Sequence, residues 1–327
     1  MDYEKLLDKE TWKFIHKIQS FYPKDINNKP IKEQRRAYNL MCKAFYMSRP
    51  EGVLSKDVYL SNVLVRKYLK TRKTIFNFKN ARVIFFHGGG FVVGGLDSHD
   101  DICAEICFST EMEVCAVDYS LAPENNHPQI FEDAMKVVKH FLTNHSEQII
   151  LCGDSAGGGL AASVAHSIRD NMINRHKIAG QLLIYPALGG EINKSSYITF
   201  SNAPLLSRED VMNFMDIALG RDNPTTISNL NPLGDKDFSQ LPPTIIYTAN
   251  FDPLRDDGQK YCEAINESGG EALWINEKGL IHGYLRARNC VKKARESFNT
   301  ILKNLIALAE NRSCIIKNGD GGENGRN

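Results

Sequence analysis

Gly153-Asp154-Ser155-Ala156-Gly157 joins an apolar run, Ile149-Ile150-Leu151-Cys152, to a segment in which Leu160, Val164 and Ile168 recur four apart. The run reads as a buried strand and the segment as one face of a helix. Strand, Gly-x-Ser-x-Gly, helix is the pattern of a nucleophile elbow, a turn so sharp that its central residue is held under strain. Glycines two before and two after the serine leave room for neighbouring backbone. The serine oxygen then stands clear of the sheet, near the positive end of a helix. A plain Gly/Ser-rich turn is the competing reading, and the presence of the serine's chemical partners decides between them.

A serine hydroxyl is a weak nucleophile that needs a base, and the base needs a third group to orient it. Behind such an elbow the chain order is serine, acid, histidine. Of the nine histidines, His16, His87, His99, His127, His140, His145 and His166 precede or closely follow Ser155 on other elements. His176 lies just past the elbow helix, too early to leave room for an acid-bearing strand. His282 remains, after the expected last strand Ala272-Leu273-Trp274-Ile275 and in a loop with Gly279 and Gly283. The acid should end the preceding strand, Pro243 to Thr248, and Asp252 stands there before Pro253, which biases it to an extended or turn conformation. Asp256 and Asp257 compete, but they fall in the first turn of the next helix and read as charges favouring its dipole.

The oxyanion of a tetrahedral intermediate also needs donors. His87-Gly88-Gly89-Gly90 follows the apolar run Arg82-Val83-Ile84-Phe85-Phe86, and glycines let backbone N–H groups approach a substrate oxygen. Gly88 and Gly89 are the expected loop donors, with the Ala156 N–H completing the hole. One such donor contributes about 3–4 kcal/mol to transition-state stabilisation.

With these residues placed, the chain resembles the hormone-sensitive-lipase family of α/β-hydrolase serine esterases, and within it bacterial acetyl esterases. Five stretches carry the resemblance, in family order: His87 to Phe91, Asp118-Tyr119-Ser120-Leu121-Ala122-Pro123-Glu124, Gly153 to Gly158, Asp252-Pro253-Leu254-Arg255-Asp256 and His282-Gly283-Tyr284. The resemblance implies an α/β-hydrolase fold, a mostly parallel sheet with helices on both faces and a helical cap. It assigns the triad to Ser155, Asp252 and His282 and the oxyanion donors to Gly88, Gly89 and Ala156. It implies hydrolysis of short-acyl esters through an acyl-enzyme, with no metal and no cofactor. His127 and Tyr284 depart from the family pattern, where an aromatic residue and a phenylalanine are commoner; His127 reads as a surface or packing residue. Two rivals remain at this point. An amidase or peptidase could use the same triad. A ligand-binding relative such as the plant gibberellin receptors has lost the catalytic histidine, whereas His282 is present here.

At 327 residues the chain fits one α/β domain with an appended cap as well as two domains. Its formal net charge is +1, with no basic run interleaved with aromatics, so nucleic acid is not an expected partner. Met1-Asp2-Tyr3-Glu4-Lys5 lacks the apolar core of a signal peptide. No stretch approaches the ~20 apolar residues of a membrane span. A cytoplasmic protein acting on a small ester is expected, and a homodimer is compatible with the sequence. The eight cysteines are scattered, and in that compartment disulfides are not expected. His99, Cys103 and Cys107 are four apart and could form a metal-binding stripe beside Asp97, Asp100 and Asp101. The weightier reading makes Ser98 a helix cap, the acids first-turn charges and the cysteines core residues.

Residues 1–50 read as an N-terminal helical cap segment, with one apolar stripe at Phe14, Ile18 and Phe21 and another at Tyr38, Met41 and Phe45. Residues 51–312 read as the catalytic domain. Strands are expected near 82–86, 113–118, 148–152, 180–184, 243–248 and 271–275, and helices near 98–110, 128–143, 156–169, 254–267 and 289–309. This alternation argues for a mostly parallel sheet covered on both faces. An insertion at about 190–222, holding Tyr197, Phe200, Leu205, Leu206, Phe214 and Met215, interrupts it. It is assigned to the cap, where bulky side chains would narrow the pocket and favour small acyl groups. Residues 313–327 are expected to be disordered.

Overall fold

The computed structural model describes residues 1–71, 81–170, 175–220 and 230–311. The expected tail at 313–327 and the end of the insertion, 221–222, lie outside the described residues. Three helices open the chain: α1 (Tyr3–Leu6), α2 (Lys9–Gln19) and α3 (Ile31–Ala44). Asp8 caps α2, its carboxylate accepting the Thr11 N–H at 2.8 Å. A hairpin follows, β1 (Val53–Leu60) and β2 (Val63–Lys70). Its two-residue turn, Ser61-Asn62, takes positive φ at both positions (48° and 67°), the geometry that matches the twist of the flanking strands.

The remaining elements alternate: β3 (Ala81–Phe86), α4 (Asp100–Thr110), β4 (Glu113–Val117), α5 (His127–Asn144), β5 (Gln148–Asp154), α6 (Ala156–Arg169) and β6 (Ile178–Ile184). After the insertion, with α7 (Ser196–Thr199) and α8 (Arg208–Leu219), come β7 (Thr244–Phe251), α9 (Arg255–Glu267), β8 (Ala272–Ile281) and α10 (Lys292–Ala309). One eight-stranded sheet results, in the order β1-β2-β4-β3-β5-β6-β7-β8. The pairs β1/β2 and β2/β4 are antiparallel and all others parallel. Every residue of β3 and β6 is buried, because helices cover both faces. That two-sided burial is why these strands read as continuous apolar runs.

Several expected boundaries shift; β5 runs on to Asp154 and β7 to Phe251. β8 runs on to Ile281, past the expected end at 275, because Gly279 (φ +76°) sits where the β7/β8 register slips and breaks the alternation that marks a strand. His282 therefore follows the strand directly. The last helix begins at Lys292, preceded by a 3₁₀ turn over Tyr284–Ala287. Ser98 does not cap α4: it closes a 3₁₀ turn (Leu96–Ser98), its hydroxyl within 3.0 Å of the Gly95 N–H, and His99 is the N-cap.

The N-terminal helices and the insertion both pack over the carboxyl ends of the strands. Leu7 and Ile15 share an apolar cluster with Phe200, Phe251 and Ile281. Asn27 donates to Asp210 at 3.0 Å, joining the two segments directly. Among the described residues no helix is long and apolar enough to cross a membrane.

Candidate active site

Ser155 stands at the end of β5, the strand between β3 and β6, with φ 54° and ψ −121°. A non-glycine residue at positive φ is strained. The strain is held by the Ser155 N–H, which donates to Ile184 O at 2.9 Å, and by α6 starting at once behind it. The flanking glycines are steric necessities. A Cβ at Gly153 would lie 2.4 Å from Gly157 O, and one at Gly157 would lie 2.1 Å from Phe86 O.

Three residues far apart in the chain meet here. Ser155 Oγ lies 2.9 Å from His282 Nε2, and His282 Nδ1 lies 2.7 Å from Asp252 Oδ2. Asp252 is fully buried, and its Oδ1 accepts the Leu254 N–H at 2.9 Å. The carboxylate thus has one oxygen for the backbone and one for the imidazole. Each of the three follows a strand end, β5, β7 or β8, on one edge of the sheet, the edge where open α/β folds bind ligands.

Asp256 and Asp257 lie in the first turn of α9 as expected, yet they are more than helix-start charges. Asp256 accepts the Ser196 N–H at 2.9 Å. Asp257 Oδ2 accepts from Gly190 N at 3.0 Å and from Tyr197 O–H at 2.7 Å. Both therefore clamp the insertion onto the turn that carries Asp252. Burial pushes the Asp257 carboxyl up to about 6, with the nearby Asp252 charge adding to the rise, against the lowering effect of its two donors.

The glycine loop corrects one expectation. The Gly88 N–H is occupied, donating to Asp154 Oδ1 at 2.8 Å, so Gly88 is not an oxyanion donor. Gly89 and Gly90, at φ +125° and +61°, line the same cavity as Ser155, Ala156 and His282. The free donors are thus those of Gly89 and Gly90, beside Ala156 at the first position of α6, whose N–H has no intrahelical partner. The sequence offered three consecutive glycines without saying which amide a buried carboxylate would claim.

His87 anchors the loop from below. Its ring stacks on Tyr119 with centroids 4.3 Å apart, and the Tyr119 hydroxyl donates to His87 O at 2.5 Å. Burial, with His99 nearby, lowers its basicity to about 4, so it is neutral at ordinary pH. Arg35 of α3 reaches the same region, donating to Val92 O and Ala122 O, each at 2.8 Å, and pairing with Glu124. His127 is buried and packs against Phe131. Cys103 and Cys107 are buried in an apolar cluster, while His99 Nε2 faces Asp154 at 3.1 Å. The described residues contain no group of three His, Cys, Asp or Glu side chains arranged to hold a metal ion.

Ser155 opens into a cavity of about 720 Å³. One wall comes from the insertion (Leu206, Val211, Phe214) and another from the N-terminal segment, with Tyr38 and Met41 on α3 and Tyr22 just after α2.

The sequence profile of a family with the α/β hydrolase fold matches residues 83–286, the span that holds Ser155, Asp252, His282 and the glycine loop. The chain belongs to the α/β-hydrolase family, in its hormone-sensitive-lipase-like branch. It is 34% identical over 228 residues to carboxylesterase NlhH of Mycobacterium tuberculosis, covering 66% of this chain and 70% of that protein. It is 35% identical over 234 residues to esterase LipI of the same organism, covering 69% and 71%. Among solved structures, it is similar to the ester hydrolase EH1AB1 from the Lake Arreo metagenome, with a TM-score of 0.82, 27% identity and coverage of 92% of this chain and 99% of that one. An esterase from Pyrobaculum calidifontis matches with a TM-score of 0.82 and 26% identity, over 93% and 99% of the two chains.

Proposed function

We propose that the protein is a serine carboxylesterase that hydrolyses short-acyl esters through an acyl-enzyme. The observation that carries this reading is the hydrogen-bonded chain Ser155–His282–Asp252, with links of 2.9 and 2.7 Å, at the wall of a substrate-sized cavity. Relatives at 34–35% identity bear the names carboxylesterase and esterase, which supports the same reaction class.

In this mechanism Ser155 Oγ attacks the ester carbonyl carbon as its proton passes to His282 Nε2. Asp252 keeps the other imidazole proton on Nδ1 and stabilises the imidazolium. The Gly89, Gly90 and Ala156 N–H groups bind the oxygen as it becomes anionic. His282 then protonates the departing alkoxide, leaving an acyl group on Ser155. Water repeats the steps, with His282 again the base, and frees the acid.

Residues 1–50 and the insertion form the cap in this reading. The short-acyl preference rests on Phe214, which stands against the oxyanion loop: a Cβ at Gly90 would lie 2.4 Å from its ring. The whole cavity exceeds the needs of an acetyl group, so the restriction is local to the reacting centre.

The test is the rate of p-nitrophenyl acetate hydrolysis by wild type and Ser155→Ala, with a fluorophosphonate label mapped by mass spectrometry. The variant should lose about 10⁴–10⁶ in kcat, and the label should fall on Ser155. Near-normal turnover by the variant would refute the assignment. Faster hydrolysis of the decanoate than of the acetate would refute the short-acyl preference alone, and faster cleavage of a matched anilide would point to an amidase.

A further inference from the structure

His99 has no role in the chemistry above, yet it is 98% buried beside the catalytic serine and both of its ring nitrogens are engaged. Nδ1 lies 2.8 Å from Ser98 Oγ, which in turn sits between the Gly95 N–H at 3.0 Å and Gly95 O at 2.8 Å. Nε2 lies 3.1 Å from Asp154 Oδ1, the oxygen that accepts the Gly88 N–H at 2.8 Å. A chain of contacts therefore runs from the turn before α4, through His99, to the carboxylate beside the nucleophile and on to the glycine loop.

The loop needs such a restraint. Three consecutive glycines have the widest choice of backbone conformations, whereas an oxyanion hole works only when its donors are held in place beforehand. The Gly88 peptide is held at its nitrogen by Asp154 and at its carbonyl by His87, whose Nδ1 is 2.8 Å away. The Asp154 carboxylate lies so close that a Cβ on Gly88 would meet Oδ2 at 2.5 Å. The Gly88 carbonyl shares a peptide plane with the Gly89 N–H, so holding Gly88 on both sides fixes that donor; the Gly90 N–H shares a plane with Gly89 O, which accepts the Val92 and Val93 N–H groups at 3.0 Å each. Asp154 is a stronger acceptor for the Gly88 N–H while ionised. Burial opposes its charge, and His99, the Gly88 N–H and the more distant Arg286 together hold it below the usual carboxylate range. From outside the loop, His99 Nε2 lies 3.1 Å from Oδ1 and the Tyr185 hydroxyl donates to Oδ2 at 3.5 Å, so His99 makes the closer contact and makes it on the oxygen that holds Gly88.

We propose that His99 is a positioning residue: through Asp154 it sets the backbone of Gly88 and thereby aims the Gly89 N–H group at the reacting oxygen. This deepens, and rests on, the esterase reading. The test compares wild type, His99→Leu and His99→Gln, the last keeping a donor that can reach Asp154. The Leu variant should lose about 100-fold in kcat for p-nitrophenyl acetate, the scale of one lost oxyanion donor, with KM within a factor of two. Its affinity for a trifluoromethyl ketone, which forms an oxyanion on Ser155, should fall by the same factor as kcat/KM, and the Gln variant should recover most of both. Amide exchange over residues 87–91 should quicken in the Leu variant only. A folded Leu variant that keeps kcat within threefold, or that loses kcat without losing inhibitor affinity, would overturn the proposal. So would unchanged exchange of that loop, and this readout decides the matter even for a protein that hydrolyses no ester, where the esterase reading would fail instead. If His99→Leu does not fold, Ser98→Ala should show the same pattern at roughly threefold to tenfold, and no change there would count against the idea equally.

Discussion

Asp257 is a carboxylate that the fold keeps partly against its own ionisation. Its folded value of about 6 stands above the ordinary 3.8, so the folded state binds its proton more tightly than the unfolded chain does. The sign follows: this group's contribution to stability is greatest below about pH 4, declines as pH rises from there to about 6, and is flat above. Asp257→Asn keeps an acceptor for Gly190 N–H and Tyr197 O–H but cannot ionise. In denaturant titrations the variant should gain on wild type as pH rises from 4.5 to 7.5. Parallel pH–stability curves for the two proteins would show that the carboxyl is not strained by its burial.

At the scale of elements, the N-terminal helices meet the rest of the protein through buried apolar side chains such as Phe14, Ile15 and Met41 and through one polar anchor. Arg35 of α3 joins two loop carbonyls, Val92 O and Ala122 O, and the Glu124 carboxylate. Glu124 is more than half exposed, so the ion pair contributes little; the two carbonyl bonds matter more. Arg35→Ala should destabilise the protein by about 1–2 kcal/mol and speed limited proteolysis between α2 and α3, read by denaturant midpoint and cleavage rate. Cleavage no faster than in wild type would mean that apolar contacts such as Phe14 and Ile15 suffice to seat these helices.

For the whole molecule, burial is graded outward from the central strands. Residues 149–154 of β5 are buried on both faces, whereas α3 buries only Ala37, Met41 and Cys42. Local openings draw on the least buried units first. Hydrogen exchange should therefore be slowest at Ile150, Leu151 and Cys152, with α2 and α3 exchanging earlier through an opening that leaves the sheet intact. Exchange of α3 only together with β5 would show that the N-terminal segment and the sheet form one cooperative unit.

The alternation of apolar strands and amphipathic helices, and the elbow at Ser155, were legible because both are local. Strand periodicity, helix stripes and the steric demand for glycine at 153 and 157 act over a few residues. Chain order then singled out Asp252 and His282, since each parallel crossover returns a strand end to the same edge of the sheet. What needed the tertiary structure was the allocation of shared groups. Gly88, Gly89 and Gly90 are equivalent as letters, and only the folded chain shows Asp154 taking the first amide and leaving the other two. Asp257 likewise looks like a helix-start charge until the insertion, 60 residues earlier at Tyr197, is seen folded onto it. A hydrogen bond between residues distant in sequence leaves no local pattern, so composition and spacing can nominate the partners while the packing of the whole chain assigns them.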